Sequence, residues 1–458
     1  MTQRSTVKAI GPSYQLADRK AASQRSINLF MQQVEGLGED RPYILASSPG
    51  LSPLVTLGAT IRGSYCAGDR WFVVAGNTLF EVTTAGATTV RGTLATASGF
   101  VSMKHGRDQL VIVDGANGYV LRLNTNAFAP ITSPGWRGSN FVDELDGYFV
   151  FVDPGTDQFY LSAIDDGSTL DGLDFSSADT QPDNVVTHRV RKRELHLFGS
   201  GSIEIWVNSG DADFPFVRYN STPIDVGLVG PRAVAVAADG IVWVGQTDRG
   251  RGYVYELQGH QPVRISTQAV EEALAGATLA ECSMWTYHAA GNEFVGINAP
   301  GMATTWVYDF STRQWHERGE LVAGAWAPLR AEFVTFVGAA HYAAAGARIY
   351  KQEGESIDGA ALVRERTWPH LMAPSFEPVS YRGLEVACTT GNGGTMTLEI
   401  SNDGGHVWGA PLLRSLGAIG QYMQRVRWLN LGSARDRVFR LRCTDAVPLA
   451  IYAATVDA

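Results

Sequence analysis

Four arginines stand two apart in two pairs near the C-terminus, Arg425 and Arg427, then Arg440 and Arg442, within "QYMQRVRWLNLGSARDRVFRLR". Successive side chains of a strand alternate faces, so each pair projects from one face. Tyr422, Val426 and Trp428 take the other face of the first run, and Phe439, Leu441 and Cys443 that of the second. "LNLGSARD" between them reads as a turn, and the expected hairpin has one apolar face and one face of four guanidiniums. Glu385 and Glu399 fall in the same phase and are expected on that outer face, as ion partners. Three roles suit such a patch: an in-sheet ion network, a subunit or ring-to-ring interface, or a DNA contact; Arg425, Arg427, Arg440 and Arg442 are expected to serve assembly as an interface. An acidic chain of net charge −9 opposes a DNA contact, because DNA affinity comes largely from neutralising phosphates.

Other residue patterns offer little chemistry. Glycoside hydrolysis needs two carboxyls about 5–9.5 Å apart, and Asp143, Glu144, Asp146, Asp165, Asp166, Asp171 and Asp174 are dense enough to consider. Their Asp-Gly steps are what turns use, and calcium-loop spacing is missing. The nine histidines show no HExxH or HxH, no serine stands in GxSxG, and "GSGS" at 199–202 lacks the helix and lysine of a phosphate loop. Cys66, Cys282, Cys388 and Cys443 have no CxxC spacing and read as small hydrophobes rather than zinc ligands. No catalytic residue, cofactor or metal is expected. Ser401, Asp403, Gly405 and Trp408 in "SNDGGHVW" resemble the Asp-box of sialidases, a hairpin staple without catalytic duty.

The elements that hold these residues are strands. Fifty glycines among short apolar runs in 458 residues, with 45% hydrophobic content, indicate many turns around a sizeable core. The best helix is 266–276, with Ser266 and Thr267 as caps and Gly276 as stop. One phrase recurs seven times: a Gly or Asp turn, an alternating strand, a tight turn, a second strand. It starts at Gly68, Gly106, Leu145, Lys192, Ala238, Ala289 and Val337, at a spacing of about 38–50 residues. That period suits the four-stranded blade of a β-propeller and is too short for a sandwich, so six or seven blades are expected. Most of the eleven tryptophans fall inside strands and read as blade core; Trp315 and Trp326 look loop-like.

Three prolines in 367–380 interrupt the pattern, and the strands after Tyr381 read as a small antiparallel β-sandwich. The expected division is 1–60, an extended arm and ring-closing segment; 61–372, the propeller; and 373–458, the sandwich. The first 25 residues carry Arg4, Lys8, Arg19, Lys20 and Arg25 against Asp18 alone, which suits a solvated arm or one that orders on docking. The N-terminus lacks the apolar core of a signal peptide, and no run of about 18 apolar residues is present, so folding in a reducing cytosol and no membrane insertion are expected.

Residues 175–275 carry the most specific features: Ser177-Ala178 with Pro182-Asp183, Glu194-Leu195 before Phe198-Gly199, Glu204-x-Trp206, "GDADFPF" at 210–216, Trp243-x-Gly245 and "RIST" at 264–267. With "QRSINLF" (24–30), "SPGL" (48–51), "RSLG" (414–417) and the arginine run, they resemble the packaged-DNA-stabilisation, or tail hub (nozzle), proteins of short-tailed bacteriophages. The resemblance covers most of the chain in order and implies a structural virion protein without catalytic residues. It implies a homo-oligomeric ring, a hexamer, below the portal and its adaptor ring in the virion tail, assembled in the bacterial host cytoplasm. Such a ring closes the DNA channel, retains packaged DNA without sequence-specific binding, and carries tail spikes or fibres and a tail needle or tip. The alternatives are a carbohydrate-binding propeller, which would show exposed aromatic clusters, and a propeller hydrolase, for which no carboxylate pair stands out.

Overall fold

Apolar and polar residues alternating between Gly, Asp and Asn turns make short antiparallel strands the stable local structure. The computed structural model describes residues 4–6, 9–35, 43–219, 223–237, 240–246, 252–373 and 375–458. Among them, seven antiparallel blades follow one another along the chain as a propeller, the sixth as part of a larger sheet and the others as sheets of four or five strands. The first is Ile61–Ala67, Arg70–Ala75, Thr78–Val82 and Thr88–Thr93. The innermost strands of the next six are Ser102–Gly106, Val142–Leu145, Val185–Arg191, Val234–Val236, Ser283–Ala289 and Phe333–Val337. Phe333–Val337 packs back against Ile61–Ala67, which closes the ring. The recurring phrase is the second and third strand of each blade: the phrase at Gly68 is Arg70–Ala75 with Thr78–Val82, and that at Val337 is Ala340–Ala345 with Arg348–Lys351. In the fifth phrase, 238–239 and 247–251 lie outside the described residues.

The core lies between blades, and this explains the sequence of the second strands. In "RWFVVA", Phe72 and Val74 pack with Leu110, Ile112 and Leu121 of the second blade. Trp71 and Val73 pack the other way, with Tyr342 and Ile349 of the seventh. Both faces of such a strand are covered, so it reads as a nearly continuous apolar run.

The seventh blade obtains its outer strand from the other end of the chain. Ser52–Thr56 pairs antiparallel with Arg348–Lys351, with Thr56 opposite Arg348 and Ser52 opposite Lys351. The approach is tight at Gly50, where a Cβ would meet the Ser356 carbonyl oxygen at 2.1 Å.

The sandwich has two sheets. One orders Leu29–Gln33, Tyr43–Ser47, Ala450–Asp457, Gly383–Cys388 and Val426–Leu429, with Arg4–Thr6 added on Ala450–Asp457. The other orders Arg364–Thr367, Asp436–Cys443, Thr395–Ser401 and Leu412–Ser415. Leu384, Val386, Trp428 and Ile451 meet Leu398, Phe439 and Leu441 between them. The second sheet is continuous with the sixth blade: Ser23–Ile27 pairs antiparallel with Arg364–Thr367 and bridges to Gln314–Val322 where Ile27 faces Glu317. Arg364–Thr367 lies before the expected boundary at 372 yet pairs within the sandwich.

Two local expectations change. The helix spans Gln268–Ala275, but Thr267 makes no side-chain cap and the Ser266 hydroxyl donates instead to Glu271. Trp315 is buried within the strand Gln314–Val322, its indole N–H bonded to the Ile265 carbonyl at 2.8 Å, and Trp326 lies in the strand Ala325–Pro328. Neither is a loop platform.

Candidate functional site

The two arginine runs do not form a hairpin. Val426–Leu429 pairs with Gly383–Cys388, whereas Asp436–Cys443 lies between Thr395–Ser401 and Arg364–Thr367 in the other sheet. Val426 and Trp428 face Phe439, Leu441 and Cys443 across the sandwich core. The arginine pairs therefore stand on opposite outer faces, and Glu385 and Glu399 are separated with them. The connection "LNLGSARD" crosses between sheets instead of turning back, with Ser433–Ala434 pairing to Val379–Ser380 on the way. Burying both apolar stripes against each other outweighs the short route of a hairpin.

The pairs also differ in setting. Arg425 makes an exposed two-pronged pair with Glu385, at 2.7 and 2.6 Å, and Arg427 reaches Asp457 at 2.8 Å. Arg440 and Arg442 belong to a charged ladder that crosses five strands from sandwich to propeller. Glu399 accepts from Arg440 at 2.8 Å, Arg442 donates to Glu365 at 2.8 Å, and Arg25 lies between Glu365 and Glu317. Burial alone would raise the Glu365 carboxyl; the charges of Arg25, Arg442 and Arg440 overcome it and hold it below the ordinary glutamate value. Burial also disfavours the Arg25 cation, but the Glu317 carboxylate more than offsets that.

The Asp-box residues form a tied hairpin beside this ladder. The Ser401 hydroxyl donates to Asp403 at 2.6 Å and accepts the Gly405 N–H at 2.8 Å, while Asp403 accepts from His406 and Val407 at 3.1 and 3.0 Å. These bonds, the Ser401 hydroxyl first, hold the Asp403 carboxyl below the usual aspartate value. Trp408 lies against the Arg440 guanidinium, 3.9 Å from ring centroid to carbon. The N-terminal segment is fastened to the same hairpin, since Arg19 donates to the Gly405 carbonyl at 2.7 Å. Of the other basic residues there, Arg25 is in the ladder and Lys8 lies outside the described residues.

Four of the seven carboxylates that sequence alone makes worth considering are engaged by cations: Asp143 by Lys104 at 2.5 Å, Asp146 by Arg193 at 2.9 Å, Asp165 by Arg107 at 2.7 Å and Asp166 by Arg122 at 2.9 Å. Glu144 and Asp171 accept the N–H groups of Gly147 and Leu173 in turns. The "GSGS" loop is filled by its own chain, with Asp183 accepting the N–H groups of Gly201 and Ser202 at 2.7 and 3.1 Å. Among the described residues no three His, Cys, Asp or Glu side chains group to hold a metal, and no helix is long and apolar enough to cross a membrane.

Two features escape a reading of strand patterns. On one side of the sandwich both sheets end in an open edge, Leu412–Ser415 in one and Val426–Leu429 in the other. The segment joining them exposes Ile419 (88%), Tyr422 (70%) and Met423 (93%), flanked by exposed Leu413 and Leu429. The signal for it in sequence is a pair of large apolar residues in the Gly-rich stretch "LGAIGQYM". The second feature is the propeller axis. Arg232, just before the inner strand of the fifth blade, lies on Phe333 of the seventh (4.6 Å) and Phe100 before the second (5.3 Å). These contacts bridge the axis between the fifth blade, the seventh and the segment before the second.

Comparison with known proteins bears on this architecture. The family model described as bacteriophage P22 Gp10, beta-propeller, matches residues 23–343, and that described as bacteriophage P22 Gp10, beta-sandwich, matches 367–458. No curated protein sequence matches the chain. Similar solved structures include the N-terminal domain of Nup159, 9% identical, with 71% of this chain and 98% of that one aligned and a TM-score of 0.43. The WD40 propeller domain of Doa1 is 13% identical over 66% of this chain and 98% of its own, with a TM-score of 0.42. The extracellular domain of BT4673 from B. thetaiotaomicron is 10% identical over 78% and 47%, with a TM-score of 0.44. The two family models together take in nearly all the chain, propeller and sandwich in order, and it belongs to the bacteriophage P22 Gp10 family as a phage structural protein.

Proposed function

We propose that this chain is one subunit of a tail hub, or nozzle: a ring, hexameric in this reading, that sits below the portal and adaptor and retains packaged DNA. The observation that carries the reading is the sandwich side where two sheet edges lie open beside Ile419, Tyr422 and Met423. Open edges and large exposed apolar residues are what a lone soluble chain avoids and an assembling one needs. The bridged propeller axis supports the same reading, because a conduit for DNA then runs between copies and not through one. A net charge of −9 suits a wall past which DNA slides without sequence-specific grip. The ladder from Glu399 to Glu317 supports a sandwich and propeller that move as one body, as a load-carrying ring requires. Spikes or fibres and a tail needle or tip attach to that body, and Arg425 and Arg427, at the margin of the open side, take part in subunit contacts.

The test is the mass of the purified 49.4 kDa chain by light scattering, alone and after mixing with tailless capsids. Ring-sized assemblies formed alone or on capsids fit the proposal. A chain that stays monomeric and ignores capsids overturns it.

A further inference from the structure

A solvent-open cavity of about 430 Å³ sits on the propeller axis, lined from all seven blades. Its charged lining is Lys104, Arg189 and Arg232 against Asp143 and Glu332, three cations to two carboxylates. Both carboxylates are engaged: Asp143 accepts from Lys104 at 2.5 Å and from the Val190 N–H at 2.8 Å, and Glu332 accepts the Gly346 N–H at 3.3 Å. The two arginines make no ion pair within 4 Å among the described residues. They are laid flat on a run of phenylalanines, in which Phe141, Phe100 and Phe333 follow at 5.0 and 6.1 Å between centroids. Arg189 stacks on Phe141 at 4.8 Å, and Arg232 on Phe333 and Phe100.

Their hydrogen bonds go to neutral acceptors. Arg232 Nη2 donates to the Glu332 carbonyl at 2.7 Å, and Arg189 Nη1 to the Thr187 hydroxyl at 2.8 Å and the His188 carbonyl at 2.6 Å. Nε and Nη2 of Arg189 have no acceptor among the described residues. Arg366, fully buried without a carboxylate, bonds the carbonyls of Ala9, Gly11, Pro12 and Arg25 and the Ser26 hydroxyl through Nε and Nη1, whereas Arg189 and Arg232 are only half-buried and face the cavity. Burial lowers the pKa of Arg189 to about 10 and lowers that of Arg232, so both cations sit where a counter-charge is favourable. A desolvated cation is stable only when paired or fully bonded, and planar guanidiniums match oxyanions in two-pronged geometry.

We propose that this axial cavity binds a small oxyanion of the phosphate class between the guanidiniums of Arg189 and Arg232. The site is independent of the tail-hub reading. Two sources of phosphate fit a space of this size, the free ion and a mononucleotide.

The experiment follows thermal unfolding of the full chain in rising sodium phosphate, against sodium chloride at equal ionic strength, and separately with dAMP. The midpoint is expected to rise with the logarithm of phosphate for the natural chain and to stay level for Arg189→Gln/Arg232→Gln. Each single change weakens the apparent affinity about tenfold or more, as for one charge-assisted bond lost. A dAMP effect stronger than that of phosphate assigns the ligand to a nucleotide; an equal or weaker one assigns it to the free ion. Thr286→Trp, which fills the cavity and keeps both arginines, must abolish the response and serves if the double change does not fold. No rise in the natural chain, or an equal rise in these variants, overturns the proposal.

Discussion

Arg25 and Glu317, 292 positions apart, share a two-pronged ion pair, with Nε to Oε1 at 3.0 Å, where the sixth blade passes into the sandwich sheet. Glu317 also accepts the Thr304 hydroxyl at 2.6 Å and is almost completely buried. The pair closes the charged ladder at its propeller end, so the N-terminal segment is the piece that joins the two units.

Arg25→Ala leaves a buried carboxylate without its cation, and a loss of about 3–5 kcal/mol in unfolding free energy is expected. The double change Arg25→Met/Glu317→Leu recovers most of it, because replacing a whole buried pair by apolar groups is often nearly neutral. Urea denaturation of the four variants of the cycle reads both. A loss under about 1 kcal/mol for Arg25→Ala marks the pair as a solvated contact.

Acid sensitivity begins with a histidine. His316 is buried between Phe30 and Phe294, and burial, then the Arg318 charge, push its pKa from 6.5 to about 3. The unfolded chain takes up this proton near pH 6.5 and the folded chain does not, so stability falls as pH drops below 6.5, by about 1.4 kcal/mol per pH unit per proton. His316→Gln is expected to remove one proton's share of that slope, beside the shares of His188, His196 and His341, whose pKa values burial lowers to about 4. Glu365, held below its ordinary 4.5, contributes stability that is present above 4.5 and lost as pH falls through its folded value. Glu365→Gln therefore flattens the curve only below 4.5. Unchanged slopes in denaturation series across pH contradict both assignments.

Gly50→Ala drives a methyl into the Ser356 carbonyl and loosens the strand that completes the seventh blade. A loss of about 1–3 kcal/mol is expected, with early proteolytic cleavage near residues 50–60. Gly68→Ala is the control, because a Cβ there meets nothing within 4 Å although its φ of +64° favours glycine. A loss at Gly50 no larger than at Gly68 contradicts the clash, since of the two only Gly68 has a positive φ.

The open side of the sandwich separates assembly from folding. Ile419→Ser/Met423→Ser changes two exposed side chains and is expected to shift unfolding by less than about 0.5 kcal/mol while abolishing ring formation on capsids. Arg425→Ser belongs with these. Arg442→Ser behaves oppositely, lowering stability because it strips a cation from buried Glu365. Capsid binding that survives the Ile419 and Met423 changes removes this surface from the assembly.

The propeller was legible because its repeat is local: each blade's middle hairpin carries its own turn residues and two covered faces, and this pattern recurs about every 38–50 residues. The Asp-box was legible for the same reason, since Ser401, Asp403 and Gly405 bond one another within five residues. The arginine surface was misread because alternation says which residues share a face of one strand and not which strand lies beside it. Arg425 and Arg440 fell on different sheets once their apolar stripes were buried against each other. Exposure of Ile419 and Met423 was equally invisible, since an apolar residue in a glycine-rich stretch reads as core or surface alike.

By itself, then, the amino-acid sequence determined the strand-rich class, the blade repeat and the antiparallel strands of the C-terminal sandwich, and its motifs carried the family resemblance. The class, repeat and sandwich strands rest on turn chemistry and on alternation within single strands, and the family on the motif resemblance. Only the tertiary structure decided that Ser52–Thr56 completes the seventh blade, that Arg25 meets Glu317, and that Arg189 and Arg232 line one axial cavity. Such contacts join residues far apart in the chain, and no local preference encodes a partner that only the closing of the ring brings near.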